Sequence, residues 1–484
     1  MFCLGGLEES LDIKSKVLSG LKWSALSKLL VQLFSWTSTF LVIRILTPED
    51  YGLIAITSVF FTFITIFTVN GFVTSLVRAQ ELDKKVCSQL FTLSLALYIT
   101  IGLVISLFAQ QISVFYQNLQ IENVIYAMAV ITPLNSFCII PNAYLNIAMN
   151  FKAKAICEST SALVAAAVAL YFAYSGAGYW ALVYSFTAEL FIRTLLLNCV
   201  NKNKYNLAFG FDSLKAVLSF SYKIQLNELI WFSYNKLDTI IVGKVLGIQQ
   251  LGIYNVGVEI ASMPMTKASA ILNQVGFSAF SKVNDDLAAS KYYLGRSIKL
   301  LSLIVFPIFL GISAVANEVI VIFVGEKWLE AATIITIFAF VFPFRMINAV
   351  IYNFVIAMNE PRFAIENTVM ICFTVIVALC IGVQFGIVYT ALAWVIGFMI
   401  AFLLVLIRVR KKFSTELSVV YCWSPSFFVS LFMWFILFVL NMELYKYNVS
   451  VFVILMAKIL VGASYIGLFY MIFHKDELKS VLNK

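Results

Sequence analysis

Apolar stretches of twenty or more residues follow one another along the whole chain, separated by short polar turns. A helix rises about 1.5 Å per residue, so each stretch is long enough to cross a hydrocarbon core of about 30 Å. The pattern predicts an all-α polytopic membrane protein with about fourteen transmembrane helices, at 21–46, 52–77, 86–110, 121–148, 155–175, 178–200, 214–245, 252–280, 292–316, 331–358, 363–383, 386–408, 421–442 and 449–473. The turns carry helix-stopping chemistry, as in Thr47-Pro48-Glu49-Asp50, Ser175-Gly176-Ala177-Gly178 and Asn359-Glu360-Pro361-Arg362. The dyad alternation of β-barrel spans, about ten residues each, is absent from the sequence. No connection is long enough to house a folded extramembrane domain.

The pattern also repeats. Ile147-Ala148-Met149-Asn150 recurs as Ile356-Ala357-Met358-Asn359, and Ala155-Ile156 as Ala364-Ile365, both 209 residues on. Arg44-x-Leu46-Thr47-x-x-x-x-Gly52 returns 200 residues later as Lys244-x-Leu246-Gly247-x-x-x-x-Gly252. An even number of predicted crossings separates the copies, which makes this a parallel repeat: two six-helix lobes over 1–210 and 211–412, with two further C-terminal spans and a tail over 413–484. Pro133-Leu134-Asn135 in the fourth span is matched 210 residues on by Pro343-Phe344-Arg345 in the tenth. Both prolines fall near mid-membrane, where they either break the helix beside a central site or shape its packing.

Composition agrees with a bilayer solvent: 62% hydrophobic, 12% charged and a mean hydropathy of +0.94. The basic residues then set the orientation. With the N-terminus in the cytoplasm, 22 of 34 Lys and Arg fall in cytoplasmic segments and five near the outer side, and both termini are expected to be cytoplasmic. The net charge of +9 is thus topological and predicts no nucleic-acid partner. Acidic and basic residues precede a first apolar segment long enough to span, which predicts a retained N-terminus and no secretory cleavage. The eight cysteines are scattered without C-x-x-C spacing, and the single histidine, His474, sits beyond the last span; no metal site, bound cofactor or His-dependent catalysis is expected.

Ionisable residues inside spans are costly unless they face a cavity or a partner. Glu189 and Arg193 are spaced to neutralise each other at i and i+4, and Glu158, Glu366 and Lys223 lie near enough to the cytoplasmic edge to snorkel. Lys28, Glu228, Glu259, Lys267, Arg345 and Lys458 also fall within spans. Arg345 is the deepest and permanently charged, which suits a phosphate or carboxylate.

Three stretches carry a family resemblance: Arg44-Ile45-Leu46-Thr47-Pro48-Glu49-Asp50-Tyr51-Gly52; Leu237-Asp238-Thr239-Ile240-Ile241-Val242-Gly243-Lys244-Val245-Leu246-Gly247 followed by Leu251-Gly252-Ile253-Tyr254; and Gly178-Tyr179-Trp180-Ala181-Leu182-Val183. Over nearly its whole length the chain resembles the polysaccharide-transporter branch of the MOP exporter superfamily, the Wzx-type flippases of the WzxC kind. The resemblance implies two lobes around a cavity, and translocation of a polyprenyl-pyrophosphate-linked oligosaccharide across the bacterial inner membrane by alternating access. A polysaccharide polymerase and export machinery are implied as downstream partners.

On that reading Arg345, with Lys28 or Lys223, is expected to hold the pyrophosphate, while Asn135, Asn142, Tyr144, Asn227, Trp231 and Tyr234 meet sugars. Some relatives couple transport to H+ or Na+; Glu158, Glu228, Asp238, Glu259 and Glu366 are the candidates here, and the sequence does not choose among them. A multidrug-and-toxin (MATE-type) cation antiporter and a lipid II flippase share the two-lobe plan and remain the alternatives. An enzyme acting on glycans would need catalytic groups in the outer loops, which are short and hold few of them.

Overall fold

The computed structural model describes residues 34–66, 71–79, 83–201, 203–210, 214–281, 287–416 and 421–473. Among these the regular elements are helices: α1 (34–45), α2 (Pro48–Thr65), α3 (Gly71–Ala79), α4 (Lys84–Leu107), α5 (Ala109–Tyr116), α6 (Gln120–Ile131), α7 (Ser136–Ile147), α8 (Phe151–Tyr174) and α9 (Trp180–Val200). They continue as α10 (Lys215–Val245), α11 (Ile248–Ser281), α12 (Leu287–Ala314), the short α13 (Ala316–Val319), α14 (Leu329–Ala357), α15 (Pro361–Gly382), α16 (Ile387–Phe413), α17 (Ser424–Lys446) and α18 (Val451–Phe473). Ten helices among the described residues are long and apolar enough to cross a membrane, so the all-α, multi-pass expectation holds. The chain forms two compact units, divided between Phe232 and Ser233 within α10.

The first unit shows what the Thr47-Pro48-Glu49-Asp50 stretch does. Thr47 caps α2 in a reciprocal box: its hydroxyl accepts from the Asp50 N–H, and Asp50 accepts from the Thr47 N–H at 2.9 Å. This cap starts α2 four residues before the expected position 52. The other Asp50 oxygen accepts from the Tyr179 N–H at 2.9 Å, while Gly178, at φ +57°, leaves room that a Cβ would fill 3.2 Å from that oxygen. Two of the three family-like stretches are therefore bonded to each other. Elsewhere in this unit, 203–210 runs extended along α4, its Asn206 and Ala208 N–H groups donating to the Ser88 and Thr92 hydroxyls.

In the second unit α11 packs on α14 and α15 on α16. Phe306, Phe344, Phe402, Trp423 and Phe427 form one aromatic cluster, and Phe338, Phe342, Trp394 and Phe398 another. The last two helices are seated on α12 by polar bonds at successive levels. Cys422 donates to the Gly295 carbonyl, Ser302 to Ser426, Tyr470 to the Leu303 carbonyl, and Trp434 to the Ser313 hydroxyl. At the far end Lys458 donates to Glu318 at 2.7 Å and to the Ala314 carbonyl at 2.8 Å, with the Lys458 and Glu318 side chains 3% and 0% exposed.

The doubled Ala-Met-Asn ends α7 and α14 in the same motif. The N–H of Asn150 closes onto the Leu145 carbonyl and that of Glu360 onto the Val355 carbonyl, each around a left-handed residue. Those residues are Met149 (φ 51°) and Asn359 (φ 58°), 210 positions apart like the two prolines, whereas the letters repeat at 209. The structural register thus follows the prolines, and α14 runs one residue further into the motif than α7. The prolines themselves act differently. Pro133 lies in a 3-10 turn, Thr132–Asn135, that interrupts α6 and α7, while Pro343 is buried within the continuous α14. Of the two roles open to these prolines, breaking the helix or shaping its packing, Pro133 takes the first and Pro343 sits within an unbroken helix.

Two outcomes follow. Methionine is poorly suited to φ 51°, so Met149→Gly should raise stability by about 1 kcal/mol, read as a higher unfolding temperature in detergent. Lys458→Met should cost about 3–5 kcal/mol by stranding the Glu318 charge, and the double variant Glu318→Gln/Lys458→Met should recover most of it, which a double-mutant cycle measures.

Candidate functional site

Arg345 lies half-buried on α14, one turn from Phe342. Its guanidinium carbon stands 5.5 Å from the centroid of the Phe342 ring and 5.1 Å from that of Trp394 on α16, and its Nη2 donates to Asn235 Oδ1 on α10 at 2.8 Å. One turn along α10 from Asn235 is Asp238, 8% exposed. Its Oδ1 accepts from the Thr239 N–H at 2.7 Å and its Oδ2 from the Tyr254 hydroxyl of α11 at 3.1 Å. Tyr254 is itself wedged edge-on against Phe338, which stacks in turn towards Phe342 and Trp394. Four helices, α10, α11, α14 and α16, thus bring a cation, a carboxylate, an amide and aromatic faces to one place in the second unit.

Sequence reasoning named Arg345 and Asp238 but not what joins them. Asn235, Tyr254, Phe342 and Trp394 were missed as site residues. Asn235 had a legible signal, since it precedes Asp238 by three on a helix, and Tyr254 belongs to a family-like stretch. Trp394 had none. Asn135, the counterpart of Arg345, is buried and donates to the Thr132 carbonyl at 3.1 Å within its own turn, and Asn142 donates to the Cys138 carbonyl. Tyr144 packs against the cluster of Cys138, Leu145, Cys157, Leu190 and Leu197.

The remaining carboxylates scatter. Glu366 pairs with Arg408 at 2.7 Å near the basic end of α16, while Glu158 and Glu259 are exposed on α8 and α11 and Glu228 is half-buried on α10. Glu259 shares an electrostatic neighbour, Lys236, with Asp238. Glu189 and Arg193 do pair, at 3.7 Å. Lys28 and Lys267 lie outside the residues or side chains described, as do the side chains of Lys223, Asn227, Trp231 and Tyr234.

A bundle of membrane-crossing helices that brings a cation and a buried carboxylate together within an apolar unit defines an integral-membrane protein of transporter architecture. The fold matches that of the lipid II flippase MurJ in an inward closed conformation, with a TM-score of 0.73 over 94% of this chain and 99% of that one at 16% identity. Residues 41–333 match the family described as polysaccharide biosynthesis protein, and the chain belongs to that family. It is similar to the lipopolysaccharide biosynthesis protein WzxC of Escherichia coli (strain K12), 22% identical across 82% of this chain and 79% of the relative. It is likewise similar to the teichuronic acid biosynthesis protein TuaB of Bacillus subtilis (strain 168), 22% identical across 68% and 69%.

Tyr254→Phe should remove a charge-assisted bond from a buried carboxylate and cost about 1.5–3 kcal/mol of stability. Asp238→Asn in the same background should return part of that loss; thermal unfolding of the purified protein in detergent measures both.

Proposed function

We propose that the protein is a flippase that carries a polyprenyl-pyrophosphate-linked oligosaccharide across the bacterial inner membrane. The observation that carries this reading is the family match, reinforced by relatives named for lipopolysaccharide and teichuronic acid biosynthesis. The site chemistry is consistent with it. Asn235 offers Arg345 a neutral amide acceptor, which a pyrophosphate outcompetes because it is itself charged and can take the guanidinium through two parallel bonds. The aromatic faces of Phe342 and Trp394 hold the guanidinium without neutralising it.

On this reading Arg345 receives the pyrophosphate, with Lys28 or Lys223 as a second cation and Asn135, Asn227, Trp231 and Tyr234 among the groups that meet sugars. The six-helix lobes 1–210 and 211–412 alternate access while the lipid tail stays in the bilayer. Of the five carboxylates considered for coupling to H+ or Na+, Asp238 is our choice, because it is buried one turn along α10 from Asn235, the acceptor of the Arg345 guanidinium. Transport needs no bound cofactor and no catalytic group, and we read the protein as a carrier, not an enzyme. Both termini lie in the cytoplasm, and the delivered repeat unit passes to a polymerase and export machinery outside.

Deleting the gene should abolish surface polysaccharide while lipid-linked repeat units accumulate on the cytoplasmic side; drug sensitivity with intact polysaccharide would instead point to a multidrug extruder. Complementation with Arg345→Gln should restore protein level but lower surface polysaccharide at least about tenfold, and Arg345→Lys should restore part of it. Full export by Arg345→Gln would remove the residue from the mechanism.

A further inference from the structure

α16 separates its residues cleanly by face. Trp394, Phe398, Phe402, Val405 and Val409 are buried, while Ile396, Ile400, Leu403 and Ile407 lie 43–56% exposed along the opposite side. At 100° per residue that exposed stripe begins at Tyr389, 58% exposed, and ends at Arg410 and Lys411, which flank it. From Tyr389 to Arg410 is 21 residues, a rise of about 32 Å, close to the thickness of a hydrocarbon core. The stripe therefore has an aromatic residue at one boundary, the apolar positions in hydrocarbon, and two cations at the other boundary.

The four basic residues at this helix end do not share one task. Arg408 and Lys412, on the side facing α15, are taken up by Glu366 at 2.7 Å and Glu360 at 2.9 Å, with the Phe363 ring near both cations. Nearby, Lys291 donates to the Ser414 carbonyl at 3.2 Å. Arg410 and Lys411 are exposed and enter no salt bridge among the described residues, although two acidic partners stand one helix face away. Their position on the lipid-facing stripe, at headgroup depth, sets what can reach them.

We propose that Arg410 and Lys411 form a binding site for the phosphate headgroup of an anionic phospholipid in the leaflet at this end of α16, cytoplasmic by the distribution of basic residues. The two side chains diverge by about 100° around the axis, which lets them close on one phosphate from either side. Ile407 and Leu403, directly above, receive the first methylenes of the acyl chains. The ligand belongs to the membrane, and the site is separate from the one around Arg345.

Native mass spectrometry of the purified full chain, titrated with phosphatidylglycerol or phosphatidylcholine, tests this. The wild type should retain phosphatidylglycerol selectively and lose it as salt rises. The variant Arg410→Gln/Lys411→Gln should bind it about 30-fold more weakly, since each surface cation contributes about fivefold. Lys446→Gln, at the other membrane boundary, should leave binding unchanged. Equal retention of phosphatidylglycerol by the double variant, or equal retention of phosphatidylcholine by the wild type, would overturn the proposal. So would capture of undecaprenyl pyrophosphate through these two residues without preference for phosphatidylglycerol, which would make the site an entry point for the carrier lipid.

Discussion

Hydrocarbon offers a buried polar group no partner, so every charge and every freed backbone group inside these helices has to bring its own. The protein meets this requirement in two ways that differ in what they leave behind. Glu318 and Lys458 meet at 2.7 Å with almost no exposure, and Lys458 also closes the last carbonyl of α12, so the charges cancel where they sit and hold α18 in place. Arg345 is held by an amide oxygen of α10 and by two ring faces, one on its own helix and one on α16. The nearby carboxylate on α10, Asp238, is itself bonded to Tyr254 and Thr239. One arrangement is a structural joint between α13 and α18; the other gathers a permanent cation, an amide and two aromatic rings from three helices at one place.

Much of the architecture was legible because the bilayer imposes one length and one period. Apolar stretches placed most helix ends to within about five residues, and the early start of α2 comes from the Thr47–Asp50 box, a side-chain bond that hydropathy does not register. The turn chemistry was legible too, but only as local punctuation. That Asp50 would reach the backbone of Tyr179, 129 residues away, depends on how α2 and α9 meet, and nothing in either stretch announces the other.

The site was legible in proportion to charge. Arg345 stands out in a sequence because a permanent cation at mid-span needs an explanation, and Asp238 because it lies in a family-like stretch. Asn235, Phe342 and Trp394 are unremarked residues in an apolar, aromatic-rich chain, and they matter because three helices converge on one guanidinium. The same limit applied to the carboxylates. Five were equivalent by sequence, and tertiary packing separates them: Glu366 is answered by Arg408 near the basic end of its partner helix, while Asp238 is buried beside Tyr254.

The asymmetry between Asn135 and Arg345 follows from what each helix does with its proline. In the first unit the chain gives way at Pro133 into a 3-10 turn, and the local polar side chains repair it: Asn135 donates to the Thr132 carbonyl, Ser136 to the Pro133 carbonyl at 2.7 Å, and Thr132 back to Ala129. In the second unit the positions equivalent to Thr132, Leu134 and Ser136 are Phe342, Phe344 and Met346, which have no hydrogen-bonding side chain to offer. Instead the rings of Phe342 and Phe344, on either side of Pro343, pack against aromatic rings of α12 and α16, and α14 continues through the proline. A residue at the repair position is then not needed for repair, and it can carry a group that reaches other helices. Duplication supplied the same frame twice; the substitution of aromatic support for local hydrogen bonds is what released position 345 to hold a charge.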